Sequence, residues 1–67
     1  MFMDDRTKEL IAIGVSVGVH CQPWLDYHLG RAREMGIGED EIKEAVEVGL
    51  MVDKGALNAM RKHVDSI

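Results

Sequence analysis

A chain of 67 residues, 46% hydrophobic and only 4% aromatic, is short enough that folding hides only about 60% of the surface its unfolded form exposes. Its 12 acidic residues outnumber 8 basic ones, and the scattered arginines exclude the clustered Lys and Arg that a nucleic acid partner requires. A single cysteine excludes an intrachain disulfide, so the missing stability is expected from a metal or from oligomerisation, and the hydrophobic content leaves apolar surface for partner subunits.

The opening MFMDDR is acidic where a secretory signal is basic, and the longest apolar run, Leu10 to Val19, is about half a membrane span. A single cytoplasmic domain over residues 1–67 is expected, with no membrane partner and a reduced thiol. Asp4 and Asp5, ahead of RTKEL, sit where the free N–H groups and macrodipole of a helix N-terminus favour carboxylates. The next run is locally ambiguous. Ile11, Ile13, Val15, Val17 and Val19 alternate with small residues at a period of two, which suits a strand. No second strand-like run exists to pair with it, and an unpaired strand is unstable, so a helix over about 4–19 is expected. Gly14 and Gly18 then lie one turn apart on one face, where another backbone can approach, at about 1 kcal/mol each in helix propensity.

Pro23 suits the first position of a second helix, over about 23–35. Leu25, Leu29 and then Ala32 or Met35 keep helical spacing, and Gly36 is placed to end the run in the left-handed conformation. Gly38 as N-cap, followed by Glu39, Asp40 and Glu41, starts a third helix over about 39–52, with Ile37 set to pack on Ile42. Near Asp53, Lys54 and Gly55 the pattern falters, then resumes with Leu57, Met60, Val64 and Ile67. Either one helix kinks at Gly55 or a fourth occupies about 55–65. The fold class is all-α, with three to four helices assembling as a homo-oligomer.

The residues able to carry chemistry gather in HCQPWLDYH, from His20 to His28. Cys21 lies just before the second helix, where converging backbone N–H groups favour a thiolate; a structural thiol at a helix junction is the alternative. His28 is seven residues on, about 10 Å further in rise, so a direct bond to Cys21 is not expected. The position one turn before His28 holds Trp24. His20, Cys21 and His28 lack the spacing of a closed tetrahedral site, so no metal or other cofactor is expected. His63 suits the last turn of a helix, and Asp26 and Tyr27 suit a surface or an interface.

The segment DDRTKELIAIGVSVGVHCQPWLDYHLGRAREMGIGEDEIKEAVEVGLMV, about residues 4–52, resembles the core repeat of the carboxymuconolactone decarboxylase and alkylhydroperoxidase D superfamily. There a Lys-Glu-Leu-Ile helix leads to Cys-x-x-Cys-x-x-x-His, then to a Gly-capped Glu-Ile and Glu-Ala-Val helix. Peroxidatic members also carry a glutamate twelve positions before the first cysteine, as Glu9 stands before Cys21. In those members the second cysteine attacks, histidine and glutamate relay its proton, and the first cysteine resolves the product. Carried over, Cys21 takes the resolving position, and His28 and Glu9 the relay. Trp24 stands where the attacking cysteine would be, which rules out a one-chain dithiol cycle. The resemblance implies a helical Leu10 to Val19 run and assembly as trimers or hexamers. The chain is shorter than most single-repeat members, which would put more of its stability on subunit contacts.

Three functions are open. One is a thiol-dependent peroxidase of peroxiredoxin type, an antioxidant in which Cys21 becomes a sulfenic acid rescued by an external thiol reductant or a neighbouring Cys21. Another is an acid–base enzyme of lactone decarboxylase type, with Glu9 and His28 moving protons in a pocket walled by Trp24 and Tyr27, and Arg31 and Arg33 as candidate anchors for a substrate carboxylate. The third is a non-catalytic oligomeric binding module of the same fold.

Overall fold

The computed structural model describes residues 2–67. They form α1 (Asp5–Gly18), α2 (Gln22–Glu34) and α3 (Glu39–Asp65), with no strand among the described residues. The alternating run of α1 is therefore helical. Its isoleucines and valines divide between an inner side, where Ile13 is fully buried, and an outer side, where Ile11, Val15 and Val19 remain about half exposed or more. Asp4 caps α1 by accepting a hydrogen bond from the Thr7 backbone N–H at 2.7 Å.

Both inter-helix turns close by the same device. After α2, Gly36 takes φ 76°, its N–H donates to the Arg33 carbonyl, and the Ile37 N–H donates to the Ala32 carbonyl. After α1, the His20 N–H donates to Val17 and the Cys21 N–H to Ser16, with His20 at φ 58° in the place glycine usually takes. A left-handed non-glycine residue carries a backbone cost of about 1–2 kcal/mol. The His20 ring offsets part of it by bonding Asp53 Oδ1 on α3 through Nε2, at 2.6 Å.

The third element differs from a four-helix reading. α3 runs unbroken through Gly55, and the helical stripe of Ile42, Ala45, Val46 and Gly49 stays in phase with that of Leu57, Met60 and Val64. At 27 residues it is about 40 Å long. Only its first half is packed, and every residue from Lys54 onward is exposed. The molecule accordingly measures 47 × 25 × 19 Å, with a radius of gyration of 14.2 Å. A compact chain of this length would have a radius near 11 Å.

The centre of the fold is α1, which packs against both other helices while α2 and α3 barely meet. The core is Ile13, Ala32, Ile37 and Ile42, flanked by Leu10, Leu25, Leu29, Ala45 and Val46. Ile37 and Ile42 straddle the α3 N-cap as the staple predicts. Glycine lets α1 and α3 cross closely: a Cβ on Gly49 would lie 2.4 Å from the Gly14 carbonyl oxygen and 2.7 Å from Val17 Cβ. Among the described residues no helix is long and apolar enough to cross a membrane.

Candidate functional site

The α1 register turns Glu9 toward α2, one helical turn before Ile13, and leaves the residue only 9% exposed. Its carboxylate is shared. Oε2 lies 2.7 Å from His28 Nδ1, and Oε1 lies 3.3 Å from Arg31 Nε. His28 and Arg31 are three residues apart on α2 and so project from one face. A buried carboxylate is tolerated where it meets such partners, and the three groups bind α1 to α2 as they form the site.

With Nδ1 donating to Glu9, the neutral imidazole carries its free lone pair on Nε2, the form of a general base. Aromatic rings hold the imidazole from the sides. Trp24 stacks on it with centroids 5.7 Å apart and planes 27° apart, and Tyr27 meets it edge-on at 5.0 Å. Trp24 and Tyr27 also meet each other edge-on at 5.3 Å. Tyr27, then Glu9, hold the Arg31 guanidinium even more firmly protonated than usual.

Trp24, at the position of the second cysteine of the Cys-x-x-Cys pattern, does not come between Glu9 and His28. It lies on the outer side of the imidazole and is 57% exposed, with Tyr27 at 51%. The two rings thus form an open aromatic rim around His28.

Cys21 is held apart from this group. It is both the end of the α1 turn and the N-cap of α2, with its N–H bonded to Ser16 and its carbonyl accepting from Leu25. Its half-buried thiol makes no capping hydrogen bond. It lines a cavity of about 210 Å³ with Ser16, Val17, His20, Gln22 and Leu25, a set that includes neither Glu9 nor His28. No group of three or more His, Cys, Asp or Glu side chains among the described residues could hold a metal ion, and His20 and His28 turn to different carboxylates.

Of the two arginines considered as anchors, Arg31 stands in the site. Arg33 does not, because its Nε donates to Glu39 Oε1 at 2.8 Å and fastens the end of α2 to the first turn of α3. The His20–Asp53 pair escapes sequence reasoning, since 33 residues separate its members and a left-handed histidine has no local signature.

No curated protein and no solved structure matches the chain. The model of the carboxymuconolactone decarboxylase family matches residues 3–63, a span that holds all three helices to within two residues of the end of α3. With Glu9, Cys21 and His28 on a helical scaffold of this kind, the chain belongs to the carboxymuconolactone decarboxylase family.

Proposed function

We propose that this protein is a proton-transfer enzyme of lactone decarboxylase type, in which His28 is the acid–base group and Glu9 its positioning residue. The observation that carries the reading is the 2.7 Å bond from His28 Nδ1 to the buried Glu9 carboxylate. That bond fixes the tautomer, orients the ring and stabilises the imidazolium formed when Nε2 takes a proton from substrate. As the deprotonated carboxyl group of the substrate leaves as CO2, the imidazolium returns that proton to the carbon that keeps the electron pair of the broken C–C bond. Arg31, half exposed beside Glu9, offers its remaining N–H groups to an anionic substrate, and Trp24 and Tyr27 supply flat apolar contact.

A second reading, a peroxidase with one cysteine, is supported by the Cys21 thiol, which is free of capping bonds and open to a small cavity. A peroxide would transfer one oxygen to the thiolate, giving a sulfenic acid and an alcohol or water, and an external thiol would reduce it. Its weakness is that the Glu9–His28 pair does not share that cavity.

The deciding experiment measures turnover of carboxymuconolactone and of hydrogen peroxide by wild type, His28→Gln and Cys21→Ser. Lactone turnover lost with His28 and kept without Cys21 supports the first reading. Oxidation of Cys21 by peroxide faster than that of free cysteine, abolished in Cys21→Ser, replaces it with the second. Neither activity in wild type leaves the fold as a binding module.

A further inference from the structure

Beside the exposed outer face of α1 runs a groove of about 810 Å³, walled by Ile11, Val15 and Val19 on one side and Val48 and Val52 on the other. These five side chains are 47–67% exposed, a large apolar surface for a chain whose core is four residues. Beyond the groove, the projecting half of α3 displays a second apolar stripe. Leu57, Met60, Val64 and Ile67 repeat at helical spacing and are 52%, 58%, 56% and 92% exposed. Neither surface has a partner among the described residues. A straight helix cannot bring its own end back onto its first half.

We propose that the two surfaces are halves of one contact, in which the α3 tail of one copy lies in the α1–α3 groove of a second copy. Length fits: the groove follows α1 from Arg6 to Val19 and the tail runs from Lys54 to Ile67, each about 20 Å of helix. Charge also fits. Lys54 and Arg61, with Asp65 beside them, border one edge of the tail stripe and His63 the other, and with Lys62 the tail's cations outnumber its one carboxylate, while the groove carries Glu41 and Glu44 with Arg6 alone opposing them. Arg6 is already engaged by Glu41, which leaves Glu44 to face the tail cations. An amphipathic helix in an apolar groove is a common recognition mode, with anchors at the spacing found here. The contact joins different patches on the two copies, so it closes as a reciprocal dimer or a ring, or else runs on as an open filament.

The test uses the full chain. Light scattering is expected to show an oligomer for wild type and a monomer for the exposed-site variant Leu57→Glu/Met60→Glu, with helix content retained by circular dichroism. A monomeric wild type, or an unchanged mass in the variant, overturns the proposal. Should the variant lose its fold on dissociation, disulfide trapping decides the matter. Two chains, each with Cys21→Ser, carry Val48→Cys and Met60→Cys respectively, and are mixed under mild oxidation with one mass-tagged. Mid-groove then meets mid-tail whichever way the tail runs. The mixed disulfide is expected to dominate; dominance of either homodisulfide, or no cross-link, overturns the proposal.

Discussion

Glu9 on α1 and His28 on α2 meet at 2.7 Å through Oε2 and Nδ1, and the other carboxylate oxygen of Glu9 faces Arg31 at 3.3 Å. One buried carboxylate thus fixes the tautomer of the candidate base and ties two helices together. The two roles separate by mutation. Glu9→Gln keeps the volume but removes the charge that supports the imidazolium, and kcat on a turned-over lactone is expected to fall about 100-fold or more with KM changed little. Glu9→Ala also strands His28 and Arg31, and urea denaturation is expected to show a loss of about 2–3 kcal/mol. Equal losses of stability in both variants would assign Glu9 to the fold alone.

The α1–α3 crossing makes Gly49 the least replaceable glycine. A methyl there meets backbone of α1 at 2.4 Å, so Gly49→Ala is expected to destabilise by about 1–3 kcal/mol despite its better helix propensity. Gly30 is the internal control, being mid-helix with nothing within 4 Å of an added Cβ. Gly30→Ala is expected to stabilise by about 0.5–1 kcal/mol. Paired thermal melts check both signs at once.

Two helix N-termini set the acid limb of stability. The Thr7 hydroxyl, then the Thr7 N–H, holds Asp4 below its ordinary 3.8, and Arg33 holds Glu39 below its ordinary 4.5. Both folded values are depressed, so the stabilisation is complete above the ordinary values and fades as pH falls through the folded ones. Asp4→Asn with Glu39→Gln keeps hydrogen-bonding side chains and removes the titration. Melting temperature against pH from 6 to about 2 is expected to fall less steeply in this variant than in wild type. Parallel acid limbs would place the titration elsewhere.

Ile13 is the largest fully buried side chain, at the meeting of α1 with both neighbours. Ile13→Val is expected to cost about 1 kcal/mol and Ile13→Ala about 2–5 kcal/mol. In so small a chain the larger loss matches the whole stability of many such domains, so Ile13→Ala is expected to be largely unfolded by circular dichroism at 37 °C. The same truncation at Ile11, which is 47% exposed in the groove, is expected to leave the helix content intact.

The helices were legible because their signals are local. Asp4, Pro23, Gly36 and Gly38 each act on backbone groups within a few residues, and all stand at helix ends. Gly55 misleads for the opposite reason. Its breaking tendency is worth about 1 kcal/mol, and the good helix formers that follow it, Ala56, Leu57, Ala59, Met60, Arg61 and Lys62, carry α3 through it. The period of two in α1 likewise gave way, because a helix can divide a β-branched run between a buried and an open face.

Glu9, Cys21, His28, Trp24, Tyr27 and Arg31 were each visible in the sequence as residue types able to carry chemistry. The pairing of Glu9 with His28 was implied by the family resemblance and not by any local signal. Helical rise along α2 separates Cys21 from His28, and that much follows from spacing alone. Packing of α1 on α2 decides that His28 pairs with Glu9, that Arg31 takes the other oxygen while Arg33 leaves for Glu39, and that Trp24 covers the imidazole from outside. The chain by itself determined its helices, their caps and an apolar surplus, since these depend on neighbours in sequence. Only the tertiary structure decided which carboxylate meets which base and where the surplus lies, because those contacts join residues that the chain keeps apart and the crossing of its helices brings together.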